Sequence, residues 1–188
     1  SEQGSQFPGC KWTNWNTGVH TALVASWPGK IRAGKRTDAL VQYADIAPTL
    51  LELAGGSASD RHDGNSFAGV LTGKTQRHRE FAYAMHNNLP EGPPYPTRTV
   101  TDGTYRYIRN LFPENEFSIP VSRRTFDNTR AGDAQAKAFG ERFMKRPAEE
   151  LYDILADPYC EKNLIDQSDL AGNRKELSRA LDNWMLDQ

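Results

Sequence analysis

The chain contains few cysteines, no long apolar run and no excess of either charge. Its two cysteines, Cys10 and Cys160, stand in no metal-binding or redox motif. No stretch of about 18 apolar residues occurs, which is the length that a membrane-spanning helix needs. The 23 basic and 24 acidic residues give a net charge of -1, whereas nucleic-acid-binding proteins are markedly basic. The sequence therefore predicts neither a membrane span nor a nucleic-acid partner.

The composition is that of a folded protein. Hydrophobic residues make up 37% of the chain and charged residues 25%, which is a globular rather than a disordered balance. With 188 residues the chain is long enough for one well-packed domain, or for one modest domain and part of another. A change of pattern along the chain favours the second arrangement, with domains at 1–75 and 76–188.

Residues 1–75 have the pattern of the closing part of an α/β layer. The segment Thr21–Trp27 is apolar on both alternating faces, which predicts a strand that helices cover on both sides. Asp45 is placed to cap a helix that ends at Gly55, and Pro48 suits its first turn. Four apolar residues of this helix are expected to form a buried stripe: Leu50, Leu51, Leu53 and Ala54.

Residues 76–188 have the pattern of short strands and helices. Strands are predicted at Phe81–His86, Thr97–Thr101 and Thr104–Arg109. Asp102-Gly103 lies between the last two and is a strong hairpin signal. Helices are predicted at Ala134–Met144 and from Arg174 to about Leu186, the latter with Leu177, Leu181, Trp184 and Met185 on one face. The expected fold class is α/β, becoming α+β in the C-terminal half, where a small antiparallel sheet packs with a terminal helix.

The first residues combine an acid, an amide and a lysine. Glu2 and Gln3 offer a carboxylate and an amide carbonyl, which are hard oxygen ligands for calcium or magnesium. Gly4 allows a sharp turn, and Lys11 carries a compact charge that suits a phosphoryl or sulfuryl group. From the spacing alone, a solvated loop explains the same residues.

The start of the chain and four later segments resemble the sulfatase family of the alkaline-phosphatase-like superfamily. The segments occur along the chain in the same order as in that family. The four segments are Gly18–Gly29, Asp38–Gly55, Asp63–Gly73 and Glu150–Leu164. The last contains the family's Glu-Leu-Tyr-Asp and Asp-Pro. The resemblance implies a calcium-dependent hydrolase of sulfate esters or sulfamates. The implied fold is the end of an alkaline-phosphatase-like α/β layer followed by a small antiparallel sheet.

The resemblance also implies roles for residues near the start of the chain. Glu2 and Gln3 are the expected calcium ligands, although each is one methylene longer than the family's Asp and Asn or His. Lys11 is the expected catalytic contact to the sulfate. His20, at the start of the predicted buried strand, is either a structural histidine or a second contact to the sulfated group.

The family's Cys-x-(Pro or Ala)-Ser-Arg motif, whose cysteine becomes the formylglycine nucleophile, does not occur in the sequence. A hydrolase of this kind needs an activated nucleophile as well as charge stabilisation. The chain is therefore expected to be the C-terminal portion of a longer sulfatase, inactive alone, with the missing N-terminal part of the same protein as its partner. The resemblance also implies a periplasmic or secreted parent.

The proline-rich loop between two predicted strands carries the expected substrate contacts. Loops at strand ends collect specificity residues, and residues 85–98 resemble the corresponding region of the heparan N-sulfatase (sulfamidase) subfamily. The resemblance implies a sulfated amino sugar from a glycosaminoglycan as the substrate. The candidate contacts are His86, Asn87, Glu91 and Arg98, with a structural role as the alternative for each.

Two other functions fit the same sequence. A phosphodiesterase or phosphatase of the same superfamily would use two transition metals and more histidine ligands. A non-catalytic carbohydrate-binding module would bind glycans without an upstream nucleophile. In an isolated chain the predicted strand Thr21–Trp27 would also expose a sheet edge, through which a dimer is expected to form.

Overall fold

A computed structural model describes residues 9–57, 59, 61–119, 127 and 131–187 of the chain. These residues form two compact units. The larger unit takes the described residues up to Ala22 and from Tyr83 onward, and the smaller unit runs from Leu23 to Ala82. The domain division between residues 75 and 76 stays a prediction. No helix within the described ranges is long and apolar enough to cross a membrane.

The first helix of the larger unit is the short α1 (Asn16–Val19), and the smaller unit contains helices α2 (Ile46–Leu53) and α3 (Ala68–Leu71). Helix α2 lies where the sequence predicts a helix, and its last residue, Leu53, is followed by Ala54 and by Gly55, whose φ is 85°. The predicted buried stripe is wrong, because Leu50 is 61% exposed and Leu51 is 38% exposed. The residues that α2 buries are Pro48 and Thr49.

Asp45 precedes α2, as predicted, but its carboxylate does not cap the helix. It is fully buried and accepts a 2.7 Å hydrogen bond from Nε of Arg79. The backbone N–H groups of Gln42 and Asn65 donate to the same carboxylate at 2.8 and 2.9 Å. Such a set of donors stabilises a buried carboxylate. Because the donors come from three separate segments of the smaller unit, Asp45 joins these segments.

The segment Thr21–Trp27 is not a strand, which corrects the sequence prediction. Its residues have no regular secondary structure, and Val24 is 91% exposed and Leu23 is 52% exposed. A strand that is buried on both faces needs paired strands at its edges and helices above and below. Among the described residues no strand pairs with this segment. The dimer expected through its sheet edge stays a prediction.

A four-stranded sheet forms the centre of the larger unit, and its strand order follows the chain. The strands are β1 (Ala82–His86), β2 (Thr97–Thr101), β3 (Tyr105–Asn110) and β4 (Glu149–Asp153). Strand β3 pairs antiparallel with β2, where Val100 lies opposite Tyr107, and with β4, where Ile108 lies opposite Glu150. Threonine and tyrosine are frequent in these strands, as their β propensity favours. The predicted antiparallel sheet is confirmed.

The predicted hairpin is confirmed at Asp102-Gly103. Gly103 has a φ of 94°, a left-handed conformation that glycine adopts without strain. Oδ1 of Asp102 accepts hydrogen bonds from the backbone N–H groups of Thr104 and Tyr105 at 2.8 and 2.7 Å. The side chain of the turn residue therefore satisfies the donors that open β3.

Two helices complete the larger unit, namely α4 (Ala134–Met144) and α5 (Ala171–Leu186). Helix α4 has the predicted bounds, and Oδ1 of Asp133 caps it by accepting from the backbone N–H of Ala136 at 2.9 Å. Helix α5 begins at Ala171 rather than at Arg174 and packs on β2 and β3. Its Leu177 and Leu181 are fully buried, so the predicted packing helix is confirmed.

Both faces of the sheet are covered. Arg109 of β3 donates to Ser178 and Asp182 of α5, which places the odd-numbered residues of β3 on one face, here called the helix face. The opposite face, here called the aromatic face, lies against the main hydrophobic core. That core consists of Trp15, Tyr95, Ile108, Phe117, Ile119, Phe143, Tyr152 and Cys160.

Candidate functional site

Lys11 lies in a turn near the beginning of the described chain. Its Nζ is 5.7 Å from the centroid of the Trp12 ring, which is close enough for a cation–π contact. Oγ1 of Thr13 donates a 2.8 Å hydrogen bond to the carbonyl of Cys10, which closes the turn around Lys11. The lysine is half-buried, so part of its side chain meets solvent.

The residues that follow Lys11 are hydrogen-bonded to the aromatic face of the sheet. Nδ2 of Asn14 donates to Oγ1 of Thr97 in β2 at 2.7 Å. Nε1 of Trp15 donates to Oε2 of Glu150 in β4 at 2.9 Å. All four of these partners are buried. The position of the lysine turn is therefore set by two different strands.

Helix α1 is fixed to the same face by a third set of contacts. The backbone N–H of Asn16 donates to Sγ of Cys160 at 3.3 Å, and Nη2 of Arg106 donates to Oδ1 of Asn16 at 3.4 Å. Burial raises the pKa of the Cys160 thiol to about 11 and lowers the pKa of Arg106 to about 10. Cys160 is thus a neutral, buried acceptor at neutral pH, and its role here is structural.

Glu150 is the centre of this network. It is 1% exposed, and besides Trp15 it accepts hydrogen bonds from Tyr152 Oη at 2.6 Å and from Asn110 Nδ2 at 2.7 Å. Burial and the adjacent Glu150 carboxylate raise the pKa of Tyr152, which therefore remains a donor. A buried carboxylate is tolerated because three donors satisfy its oxygens.

Arg146 places a buried positive charge beside this carboxylate. Its guanidinium lies 4.5 Å from the Phe117 ring centroid, 5.0 Å from that of Phe143 and 5.3 Å from that of Trp15. Burial lowers the pKa of Arg146, and the negative charge of Glu150 opposes this shift. The core against the aromatic face therefore combines a cation, a carboxylate and aromatic rings that pack edge-on or tilted.

His86 lies at the end of β1 on the aromatic face. Its ring centroid is 6.4 Å from that of Phe117, and its Nδ1 is buried without a hydrogen-bond partner among the described residues. Burial and the positive charge of Arg146 lower the pKa of His86, and the carboxylate of Glu91 opposes them. The imidazole is therefore neutral at neutral pH, and its Nδ1 is enclosed by the protein.

The loop that carries Glu91 is rigidly built. Asn88 is fully buried with a φ of 60°, and its Nδ2 donates to the carbonyls of Pro93 and Ser118 at 2.8 and 3.0 Å. Gly92 packs so closely that an added Cβ would lie 2.0 Å from the Ser118 carbonyl oxygen. The loop thus holds the exposed Glu91 on a fixed backbone.

The structure divides the four predicted sugar contacts into two pairs. Asn87 and Arg98 are joined by a 2.9 Å hydrogen bond from Nη1 of Arg98 to Oδ1 of Asn87. Arg98 lines a groove with Trp184 of α5, so its side chain lies on the helix face. His86 packs on the aromatic face and is influenced by the charge of Glu91. The roles of all four residues stay predictions.

His20 follows α1 and is exposed. Its backbone N–H donates to the Asn16 carbonyl at 2.9 Å, which ends the helix. No hydrogen bond or ion pair of its imidazole occurs among the described residues. Its catalytic role stays a prediction.

Glu2 and Gln3, the expected calcium ligands, lie outside the described residues. Within the described part of the chain no group of three histidine, cysteine, aspartate or glutamate side chains is arranged to hold a metal ion. The calcium assignment therefore rests only on the oxygen chemistry of Glu2 and Gln3 and on the resemblance.

Sequence reasoning missed the buried polar residues of the aromatic face. Glu150 and Tyr152 belong to the segment that resembles the family's Glu-Leu-Tyr-Asp, in which the sequence predicts no site residue. Alternation along a strand places residues two apart on one face, which could have paired these two side chains. Arg146 lies between α4 and β4 and carries no local signal of its burial.

Comparisons with known proteins agree with this fold. The family described as "N-sulphoglucosamine sulphohydrolase, C-terminal" matches residues 11–120. An ulvan-active sulfatase of Formosa agariphila is 32% identical over 95% of this chain and 35% of its own length. Arylsulfatase G of Mus musculus is 38% identical over 35% of this chain and 13% of its own length. The chain spans about a third of the length of the two ulvan-active sulfatases that it matches, at 35% and 32%.

Solved structures show the same fold. One is of a protein in complex with its substrate D-glucosamine-2-N,6-O-disulfate, with a TM-score of 0.58 and 22% identity over 84% of this chain and 26% of that chain. Another comes from work on the metabolism of multiple glycosaminoglycans by Bacteroides thetaiotaomicron, with a TM-score of 0.60 and 23% identity over 94% of this chain and 31% of that chain. The α/β fold class with its small sheet and terminal helix is confirmed.

Proposed function

Because the chain belongs to the N-sulphoglucosamine sulphohydrolase, C-terminal, family, we propose that it is the C-terminal part of an enzyme that hydrolyses sulfate esters or sulfamates of sulfated sugars. The observation that carries the proposal is the anchoring of the Lys11 turn to β2 and β4 through Asn14 and Trp15. A cation that stabilises developing charge must be held in place before the reaction begins. The buried hydrogen bonds of these two residues supply that restraint.

Lys11 would bind the sulfuryl oxygens and stabilise charge on the departing oxygen. Its ammonium is a compact cation with three donors, which suits a tetrahedral oxyanion. The chain has no formylglycine motif, so the attacking group would come from the remainder of the enzyme. Taken alone, the chain would bind a sulfated sugar without hydrolysing it.

His86 and Glu91 would contact the sugar from the same face of the sheet as the Lys11 turn. A neutral imidazole can accept or donate a hydrogen bond to a sugar hydroxyl. The fixed backbone around Asn88 gives Glu91 a stable position for a second hydroxyl or an amino group. His20 would provide a further polar contact near the sulfate.

Calcium would be held by the Glu2 carboxylate and the Gln3 amide oxygen, together with ligands from the rest of the enzyme. When bound, the ion would neutralise negative charge on the sulfate. This part of the proposal is supported by ligand chemistry and family resemblance alone. The same resemblance supports a periplasmic or secreted enzyme.

The test uses the full-length protein that carries this chain. Sulfate release from D-glucosamine-2-N,6-O-disulfate is measured by ion chromatography for the unaltered enzyme, Lys11→Ala and the control Lys30→Ala, which removes an exposed lysine of the smaller unit. We expect Lys11→Ala to lower kcat by about 100-fold, the effect of losing one charge-stabilising group, and Lys30→Ala to leave kcat unchanged. Equal rates for the two variants, or turnover of 4-nitrophenyl phosphate in place of the sulfated sugar, would overturn the proposal.

A further inference from the structure

A groove crosses the helix face of the larger unit, away from the Lys11 turn. It is lined by Met85, Arg98, Leu111, Trp184 and Met185, and its volume is about 260 Å³. The Trp184 ring is stacked on Tyr83 with 5.1 Å between centroids and 5° between planes, which fixes one wall. Met85 is 57% exposed and Leu111 is 39% exposed, so the groove presents apolar surface to solvent.

Arg98 gives this apolar groove a positive charge. Its Nη1 donates to Asn87 Oδ1 and to the Thr97 carbonyl, both at 2.9 Å, and no carboxylate of the described residues forms an ion pair with it. Its Nε and Nη2 make no hydrogen bond within the described part of the chain. A guanidinium with donors left over is suited to bind the oxygens of a carboxylate or sulfate.

A second arginine lies beside Arg98 in the sheet. Arg98 is the cross-strand partner of Arg109, and like charges directly opposite each other are unfavourable. Arg109 is compensated by an ion pair with Asp182 of α5, whereas Arg98 is not. An anion in the groove would therefore compensate the charge of Arg98, as Asp182 compensates that of Arg109.

The groove is separate from the proposed sulfate contact. The Lys11 turn is joined to the aromatic face through Asn14 and Trp15, while Arg98 and Trp184 lie on the helix face. One sulfate group cannot meet Lys11 and Arg98 across a four-stranded sheet. Binding sites for drug-sized ligands have volumes of about 300–1,000 Å³, so the smaller groove suits one sugar ring.

We propose that this groove is a second binding site for one anionic sugar unit of a sulfated polysaccharide. The guanidinium of Arg98 would bind the sulfate of that unit, and Trp184, Met85 and Leu111 would contact the apolar face of its ring. The inference rests on the proposed function, because that function supplies the class of polysaccharide. The site would hold the polymer to the protein without taking part in the chemistry.

The three methionines of the chain allow ligand binding in the groove to be measured directly by NMR. Met85 and Met185 line the groove, and Met144 belongs to α4 on the other side of the sheet. The chain is labelled with 13C at its methionine methyl groups and titrated with D-glucosamine-2-N,6-O-disulfate, with unsulfated D-glucosamine and with sodium sulfate. We expect the disulfated sugar to shift the Met85 and Met185 signals saturably and to leave Met144 in place.

Two variants test the charge. Arg98→Gln is expected to raise the Kd of the disulfated sugar by about tenfold, since it removes a charge-assisted pair. Arg179→Gln removes an exposed arginine of α5 and should leave the Kd within about twofold. The proposal is overturned if the groove methyl signals stay in place, if Arg98→Gln binds as the unaltered chain does, or if glucosamine or sulfate alone binds equally well.

The outcomes also separate this proposal from the proposed function. Hydrolysis by the full-length enzyme with no shift at Met85 and Met185 would overturn the groove alone. Saturable shifts at these methyl groups with no hydrolysis by the full-length enzyme would support the groove and overturn the proposed function.

Discussion

The indole Nε1 of Trp15 donates a 2.9 Å hydrogen bond to Oε2 of Glu150, across 135 positions of the chain. Both residues are about 1% exposed, and Glu150 also accepts from two other buried donors. The bond connects the turn that carries Lys11 to an edge strand of the sheet. The geometry of the proposed sulfate contact therefore depends on a carboxylate that never meets the substrate.

Replacing Glu150 by glutamine tests that dependence. Glu150→Gln keeps the shape but removes the charge that faces Arg146 and one of the acceptor positions, so we expect the free energy of unfolding to fall by about 3 kcal/mol. Urea denaturation followed by circular dichroism measures it. The control Glu176→Gln removes an exposed carboxylate of α5 and should change the value by less than about 0.5 kcal/mol. Equal stability of the two variants would contradict the role given to Glu150.

Gly92 and Gly172 form a matched pair of glycines. A Cβ at Gly92 would lie 2.0 Å from the Ser118 carbonyl oxygen, whereas a Cβ at Gly172 in α5 would meet nothing within 4 Å. We expect Gly92→Ala to destabilise the larger unit by roughly 2 kcal/mol and Gly172→Ala to stabilise it by about 0.5 kcal/mol. Thermal unfolding should show opposite shifts in the two melting temperatures. Shifts of the same sign would contradict the packing described for the loop.

Asp45 should make the smaller unit sensitive to acid. Burial alone raises the pKa of Asp45, but the hydrogen bonds from Arg79, Gln42 and Asn65 lower it from 3.8 to about 2. Because the pKa is lower in the folded chain, the stabilisation is present above pH 3.8 and is lost as the pH falls toward 2. The loss corresponds to about 2 kcal/mol.

The measurement compares Asp45→Asn with Asp63→Asn, which alters an exposed aspartate of the same unit. Urea unfolding is followed through the NMR signals of α2 at several pH values. We expect Asp45→Asn to be less stable at neutral pH and to have lost the acid-dependent step, while Asp63→Asn keeps both. If Asp45→Asn still lost stability as the pH fell toward 2, the acid sensitivity would belong to another group.

Glu91→Gln should lower the pKa of His86 further. Burial and Arg146 already lower it from 6.5, and the Glu91 carboxylate is the group that opposes them. The neutral imidazole therefore contributes stability above pH 6.5, which is lost as the pH falls through the lower value of the folded chain. NMR titration of the His86 ring signals measures the midpoint. The control Glu176→Gln should leave the midpoint unchanged. An unchanged midpoint in Glu91→Gln would show that the Glu91 carboxylate does not lie close enough to His86 to affect its pKa.

The elements that the sequence predicts correctly are those with local signals. Asp133 caps α4 through its own side chain, and Asp102-Gly103 closes the hairpin with bonds to the next two residues. The apolar face of α5 follows from helical spacing, and Leu177 and Leu181 are buried as expected. Each of these features is determined within a few neighbouring residues, so the pattern suffices.

The predictions that were wrong or missing depend on distant residues. Thr21–Trp27 has the composition of a buried strand, but a strand forms only where other strands pair with it. Asp45 has the sequence position of a helix cap, yet Arg79, 34 residues later, takes its carboxylate. Glu150 in a strand would ordinarily be assigned to solvent, and only its three buried donors explain its place in the core.

Protein synthesis delivers the Lys11 turn long before the residues that hold it. Thr97, Glu150 and Cys160 follow their partners by 83, 135 and 144 positions. Contacts of such long range form late in folding, because the intervening chain must first be ordered. A ribosome that stops before Glu150 would release a chain whose Trp15 indole has no carboxylate to bind. Chaperones and proteases recognise such species by their uncovered aromatic surface.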